Sequence, residues 1–548
     1  MKFFEAIKFL TSVNKNKNTE LIKIVFLNVF LTTSELFLLF ILSKLMLVES
    51  GRLINIFGLN WGIEKILILT ICMFLFVFFT QFKITYFANS LGQEIGNTFL
   101  KNYLHTIKQK DSQFDSSSLL NVIIVESNRV ALKIVLPILD ITSRTVLLIG
   151  LISFAFWSNA WLTTKTLFLI FSIYMIFIYF SSNILFEFSK IFTINSKSRI
   201  SLIQETSAHS EDIKLYSKQN LIISDFEKNG SVLARISTYI HLIGISPKIL
   251  IEYSIVSGIC LFYILGASIT DIVSNDTAVF IVFLRMVPLL NQLYNSCSIL
   301  RGNWFALANI KNNLENMGVK ITDREIPTNW ENVLFKGIEK SFFSTDNSNK
   351  MSLQSWDLKL NRTGLYGIFG PSGSGKTTAA GILSGFIAPD NGKIKIDNIE
   401  VSLLANKQWF NQIAVINQSP ILFKGTIADN VAFAHSELEH NTDKIISCLN
   451  EAGLSLAKEG LDLCHPVGEN GKLLSGGQKQ RVALARVLYS GRQIIIMDEP
   501  TSGLDDDKEK KMLKILNKLS KSHCIILISH SSMLKDNLCF TERLDFNL

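Results

Sequence analysis

The sequence predicts two domains in tandem, an α-helical domain that crosses a membrane six times and an α/β domain built around a phosphate-binding loop. Three observations carry that prediction. The 548-residue chain is 48% hydrophobic and 18% charged, too long for one domain and too apolar for an ordinary soluble protein. Most of its 40 Phe residues precede position 300, in runs such as Ile71–Phe79 (ICMFLFVFF) and Leu167–Phe180 (LFLIFSIYMIFIYF). Beyond them Gly-rich turns and mixed charge take over, and Gly370–Thr377 reads GPSGSGKT.

Crossing the hydrocarbon core as a helix takes about 20 mostly apolar residues. Six segments qualify: roughly 21–48, 64–88, 131–157, 161–184, 246–270 and 277–300. The loops between them alternate, 158–160 and 271–276 being short while 89–130 and 185–245 are long and polar. Cytosolic segments near spans retain Lys and Arg. Residues 1–23 hold Lys2, Lys8, Lys15, Lys17 and Lys23, and the long loops add Lys101, Lys108, Lys110, Arg129 and seven more. On the other side stand Arg52, Asp271 and Asp276, so both termini are expected in the cytosol. The long loops have helical patterns, as in Ser201–Tyr216, and the membrane helices should run on into the cytosol. Trp304–Met317 reads as a further polar helix. The domains are expected at 1–320 and 333–548, joined by a linker at 321–332 that contains Pro327.

The net charge of +8 is spread along the chain, which argues for a membrane surface and against nucleic acid. The seven Cys have no metal-ligand spacing and read as reduced and structural. No signal-peptide or transit-peptide pattern opens the chain, so nothing is expected to be removed.

The phosphate-binding loop follows a strand-like run, Leu365–Phe369, and opens a helix-like run, Thr378–Leu383, the context its chemistry requires. Backbone N–H groups of Gly370, Pro371, Ser372, Gly373, Ser374, Gly375 and the Thr377–Thr378 turn form the expected cradle, Pro371 contributing shape in place of a donor. Lys376 brings a charge to the phosphates and Thr377 a hydroxyl to Mg²⁺. Ile494–Glu499 (IIIMDE) reads as a buried strand ending in two carboxylates, Asp498 suited to the metal and Glu499 to polarising the attacking water.

At Leu474–Gln478 the sequence reads LSGGQ and runs into a helix-like KQRVALARVL, and here the chain resembles the ATP-binding-cassette (ABC) transporters. In that family's order stand Gln418 within INQSPILF, Ser502–Asp505 (SGLD), and His530 after the strand-like Cys524–Ser529. The resemblance implies ATP and Mg²⁺ as ligands. Ser475, Gly476, Gly477 and Gln478 would bind the γ phosphate of an ATP held by the partner chain, Gln418 would reach the metal and the attacking water, and His530 would hold that water with Glu499. For the adenine-stacking aromatic, Phe342 and Phe343 both stand near the family's position, and Phe343 is favoured. One copy of each motif per chain implies a dimer. A homodimer is expected, and a heterodimer with a related half-transporter is compatible with the same motifs.

The order of the domains, the long cytosolic loops and Val467–Gly471 (VGENG) resemble the exporter branch, which places short coupling helices near Ser116–Asn121 and Ser207–Asp212. Ser246–Glu252, Arg285–Pro288 and Ser34–Glu35 are similar to lipid-linked oligosaccharide flippases. That resemblance implies ATP-driven export or flipping of an amphipathic or lipid-linked cargo through a bilayer, in a bacterial inner membrane. A peptide or drug exporter of the same architecture, and an ATP-gated regulatory cassette protein, are the competing functions. Inside the spans stand Lys83, Arg144, Arg285 and Glu35. Lys83 is expected to snorkel to the headgroups, Arg144 either to pair with an acid or to serve the cargo, and Arg285, in a span broken by Pro288, to face a cavity that takes an anionic group.

Overall fold

At lipid depth a backbone must satisfy its own hydrogen bonds, and each apolar run here becomes a long helix. They are α1 Asn18–Met46, α2 Ile63–Leu104, the continuous helical run 116–157 (α3), α4 Trp161–Ala208, the short α5 Ser210–Leu215, α6 Gln219–Ile264 and α7 Thr277–Glu315. The computed structural model describes residues 18–46, 54–56, 59–61, 63–107, 116–157, 161–264, 277–343, 350–434, 441–501, 506–530, 534–535 and 538–546. One compact unit comprises Met1–Leu104 with Ser112–Met317, and a second His105–Asp111 with Gly318–Leu548.

The 48 residues of α4 span about 70 Å, more than twice the roughly 30 Å of hydrocarbon, so the helix must continue well beyond the bilayer. Among the described residues four helices, α1 to α4, are long and apolar enough to cross. Their apolar side chains point outward: Phe74, Phe78, Phe82, Tyr179 and Phe180 are each at least 60% exposed, a surface that only lipid could solvate. The expected fifth and sixth spans fall on α6 and α7, where residues 265–276 and the side chains of 258–285, Arg285 among them, lie outside the described residues. Two expectations need correction. Pro288 does not break its helix, and Trp304–Met317 is not a separate one, because α7 runs through both as one helix to Glu315. A proline removes one N–H from the ladder, and with no water at that depth the remaining bonds have no better partner. A short antiparallel ribbon, β1 Ile54–Ile56 with β2 Leu59–Trp61, follows the first span and was not foreseen.

The chain between α2 and α3 does not stay with the helices. β3 (Thr106–Ile107) pairs antiparallel with β4 (Val319–Lys320), and Ile321 N donates to His105 O at 2.8 Å. The linker is then pinned to the surface that follows: Thr322 N donates to Ala405 O (2.7 Å), Lys407 N to Thr322 O (2.9 Å) and Ile326 N to Gln408 Oε1 (2.9 Å). Trp330, 1% exposed, anchors its far end and donates to Gln412 Oε1.

The second unit is built on two sheets. β10 (Ile413–Ile416), β11 (Ile494–Asp498), β12 (Cys524–Ser529), β7 (Gly364–Phe369) and β13 (Glu542–Asp545) lie side by side in that order, all parallel. An antiparallel sheet has the order β6 (Lys350–Asn361), β5 (Asn332–Phe343), β8 (Asn391–Ile396), β9 (Ile399–Glu400). Alternation along the central strands divides two cores. Ile494, Ile496, Ile526, Ile528 and Ile368 pack with Val333, Phe335 and Trp356 of the antiparallel sheet. Their neighbours Ile495, Met497, Ile525 and Leu527 face the helical side, with Val482 and Leu484. Truncating a fully buried residue such as Ile526 to Ala would cost about 2–5 kcal/mol.

Candidate nucleotide site

The phosphate-binding loop leaves β7 at Phe369 and ends in α8 (Lys376–Leu383), as its sequence context required. Its shape depends on glycine. Gly375 caps α8 at φ +98°, where a Cβ would collide with the Leu353 side chain, and Gly373, at φ +86°, has nothing within 4 Å of its open side. Lys376 Nζ donates back to Gly370 O and Pro371 O, both at 2.8 Å, and so lies folded over the loop. The buried Ser374 hydroxyl has no hydrogen-bond partner among the described residues. A concave, donor-rich loop with one charge and an unused hydroxyl fits the phosphates of a nucleotide.

Asp498 closes β11 and lines the same cavity as Thr377, a space of about 520 Å³ that also touches Asn417, Arg492 and Phe386. A hydroxyl and a carboxylate with room for phosphate oxygens and water form a hard oxygen donor set that suits Mg²⁺, which when bound would neutralise charge on the phosphates. Burial and the neighbouring Glu499 hold the Asp498 carboxyl above its usual range, and Lys376 opposes them. A cation at that point would offset the cost.

Glu499 is not the last residue of the strand, as its sequence suggested, but the first beyond it, at φ +48°, a region unfavourable for a residue with a Cβ. Its carboxylate is nevertheless tightly held. Ser529 Oγ donates to Oε2 at 3.2 Å, His530 N to Oε1 at 3.0 Å, and His530 Nδ1 lies 2.6 Å from Oε1. Glu499 is only 13% exposed while His530 is 68% exposed, so the base is set back in the site and the imidazole projects from it. Such a pair can take up a proton at the carboxylate and steady a water molecule from the ring.

Beyond α9 (Ile427–Val431) and α10 (Thr442–Glu451), Ser475 caps α11 (Gly476–Ser490) through a capping box: Gln478 N donates to Ser475 Oγ (3.3 Å) and Ser475 N to Gln478 Oε1 (2.8 Å). Among the described residues Gly476 has nothing within 4 Å of its open side, and Ser475 and Gly476 are both exposed, so this helix N-terminus faces outward. None of residues 474–478 lines the cavity of Thr377 and Asp498, and none of 370–378 lines the cavity that touches Gly477. Gln418 stands exposed just after β10. Phe343 ends β5 opposite Lys350, but its side chain, like all of Ser502–Asp505, lies outside the described residues.

Two features escaped sequence reasoning. In the second unit, Phe423 and Phe433 stack at 4.2 Å, and Arg486 lies over both rings while donating to Asn430 O and Oδ1, each at 2.8 Å. With Ile421 they leave an apolar patch exposed, signalled only by PILF after Gln418. In the first unit Arg129, which was counted only as a loop charge, is buried. It donates to Asn303 Oδ1 (2.7 Å), Thr193 Oγ1 (2.9 Å), Ser189 Oγ (3.1 Å) and Gly302 O (3.2 Å), with Glu126 at 3.6 Å, and so fastens α3 to α4 and α7. Beside it opens a cavity of about 640 Å³, also lined by Lys133, Phe192, His241, Asn295 and Asn303. Arg144 lies one turn from Asp140 on α3.

Comparison with known proteins agrees with this layout. Residues 353–502 match the ABC transporter family. The chain is 27% identical over 468 residues to an ATP-dependent lipid A-core flippase of Wigglesworthia glossinidia brevipalpis, an alignment covering 81% of this chain and 78% of that protein. A protein of the same name from Burkholderia pseudomallei is 38% identical over 165 residues, 29% of this chain and 27% of that one. A solved bacterial Atm1-family ABC exporter with ATP bound superposes with a TM-score of 0.71 at 18% identity, covering 95% of this chain and 92% of that one. Residues 353–502 thus form an ABC ATPase domain, and the chain has the fold of an exporter-type ABC half-transporter, a helical membrane domain followed by that ATPase domain.

Proposed function

We propose that two such chains, as a homodimer, hydrolyse ATP at two shared sites to move an anionic, lipid-linked amphiphile outward across a bacterial inner membrane, with both termini and the ATPase domains in the cytosol. The domains we assign are 1–320 and 333–548 with a linker at 321–332. The observation that carries the shared-site reading is the separation of two half-sites on one chain: a phosphate cradle with its carboxylates, and an uncovered, capped helix N-terminus at Ser475–Gln478.

In this reading residues 370–378 and Lys376 bind the phosphates, Phe343 stacks on the adenine, and Thr377, Asp498 and Gln418 hold Mg²⁺. Glu499 accepts the proton of the attacking water while His530 orients it. The Ser475 hydroxyl and the N–H groups of Gly476 and Gly477 complete the partner's site with the positive end of α11. Arg285, given a cargo role from sequence, has its side chain outside the described residues. Lys133 and His241 are the described groups placed to meet the cargo. They face the 640 Å³ cavity, whose walls are otherwise largely apolar, and have no ion-pair partner among the described residues, whereas Arg129 is spent on the helices around it. A cation beside an apolar hollow favours a cargo with an anionic head and a lipid tail, and the flippase relatives point the same way.

The test is ATP hydrolysis and vectorial movement in proteoliposomes, with an anionic glycolipid set against a neutral amphiphile. Wild type should respond to the anionic cargo, and Lys133→Ala should lose about ten-fold in apparent affinity for it, the value of one charge-assisted bond. Equal transport of both cargoes by wild type would refute the anionic reading. Hydrolysis evoked only by an added partner protein would favour a regulatory cassette.

A further inference from the structure

On the flank of α11 a second, smaller cavity of about 240 Å³ opens between that helix and α12 (Asp506–Leu519), with Gly477, Gln480, Arg481, Lys511 and Lys514 among its walls. Its charge is one-sided. Lys511 and Lys514 stand one turn apart on α12, both exposed and without an ion-pair partner among the described residues. Arg481 reaches in from α11, and the acid that touches it, Glu459, is 3.4 Å from Nη1 and divides its oxygens between Arg481 and Gln478 Nε2 (3.0 Å). Among the described residues three cations thus face one acid.

The remaining wall is largely apolar, with Met512 and Ile515, and carries one buried polar side chain, Gln480. Gln480 is 6% exposed and its Oε1 has no hydrogen-bond partner among the described residues, a state that costs about 1–3 kcal/mol for a buried amide. A carboxamide can present either end to a ligand, so Gln480 can turn its NH₂ toward an anion that the three cations attract. The volume sets the ligand's size. It lies below the roughly 300–1,000 Å³ of sites for drug-sized molecules, too small for a nucleotide and ample for a single oxyanion with its water. Arginine, lysine and amide donors converging from two helices favour a tetrahedral dianion.

We infer that this cavity binds a phosphoryl dianion, as free phosphate or a phosphomonoester, and thereby ties α12 to the first turns of the helix that carries Ser475–Gln478. The site lies apart from the phosphate cradle of residues 370–378 and needs no second chain. Hydrolysis of ATP releases one such ion in every turnover, so an anion bound here would hold α11 and restrain the next engagement of the partner.

The experiment is equilibrium binding of radiolabelled inorganic phosphate to the full-length, nucleotide-free protein in detergent at constant ionic strength. It compares wild type, Lys511→Glu/Lys514→Glu, Lys511→Arg/Lys514→Arg and Lys376→Ala. The expected result is binding about ten-fold or more weaker in the Glu pair, retained in the Arg pair and retained in Lys376→Ala. Phenyl phosphate is the second arm: its displacing the label assigns the site to monoesters as well, and its failure to do so assigns it to the free ion. Phosphate binding lost in Lys376→Ala but intact in the Glu pair would overturn the proposal by placing all binding in the nucleotide cradle. Binding lost equally in the Glu and Arg pairs would overturn it too, since only structure would then be at stake. Basal ATP hydrolysis reports separately on the nucleotide site, because none of the substituted α12 residues touches it.

Discussion

The ATPase unit and the membrane unit bury charge in opposite ways. In the first, Glu499 and His530 are bonded to each other while the imidazole stays largely exposed, an arrangement that a ligand can rearrange. In the second, Arg129 spends its guanidinium on four neighbours from two other helices and has Glu126 at its side, both almost wholly buried. Chemistry keeps its charges near a surface where substrate can reach them. A mechanical joint sinks them where nothing can compete. The difference separates what a substitution should do in each unit: in one it alters rate without harming the fold, in the other it harms the fold first.

The sharpest test of the first half of that contrast is Glu499→Gln. The amide keeps the shape, its oxygen still accepting from His530 N while its NH₂ group meets the Ser529 hydroxyl, which can turn to accept, but it cannot take a proton from water. Hydrolysis should fall by about 10²–10⁴-fold, with ATP binding retained and the melting temperature unchanged. Near wild-type turnover in the purified variant would remove Glu499 from the role of base. Lys376→Ala should act one step earlier. It withdraws the charge folded over the loop, so nucleotide binding weakens and hydrolysis falls with it, measured by titration with a fluorescent ATP analogue.

Arg129→Ala tests the other half. It leaves Glu126 buried without a counter-charge, for which about 3–5 kcal/mol is the usual cost. The membrane unit should lose thermal stability in detergent, and the second variant Arg129→Ala/Glu126→Gln should recover part of it. Were Arg129→Ala to lower hydrolysis at unchanged stability, Arg129 would belong to the working cavity beside it and the contrast would fail.

The same contrast explains what was legible in the sequence. A phosphate cradle needs glycines, a lysine and a hydroxyl in fixed order, so GPSGSGKT could be placed between a strand and a helix, where the structure has β7 and α8. Two carboxylates after a strand were equally visible, though not that Glu499 would leave the strand with a positive φ, which depends on how β11 meets β12. The spans were visible as hydropathy. Arg129 was not, because its partners are Ser, Thr and Asn residues 60 to 174 positions away, which read as ordinary polar residues until the helices pack. Arg144 follows Asp140 at i,i+4 on one helix, a spacing that sequence alone could have offered for the pairing reading of that arginine. The β3–β4 ribbon left no trace, since two-residue strands have no period to detect.

That ribbon is where the two units are least alike and where the smallest effect on stability is expected. Its residues, 105–107, follow directly on α2, yet they bond to the linker that opens the ATPase unit. Ile321→Pro removes the donor to His105 O, whereas Thr322→Pro removes the donor to Ala405 O, which lies within the ATPase unit alone. Each deletes one backbone bond worth about 1 kcal/mol, so both should melt within a few degrees of wild type. Only Ile321→Pro loosens the tie between the segment that follows α2 and the linker. It should therefore reduce the stimulation of hydrolysis by cargo, by about two- to five-fold if that bond's roughly 1 kcal/mol is spent on coupling, while basal hydrolysis stays intact. Equal loss of stimulation in both variants would mean that the linker is merely stiff, and undiminished stimulation in Ile321→Pro would show that motion reaches the ATPase by another path, the exposed Ile421, Phe423 and Phe433 patch being the surface to examine next.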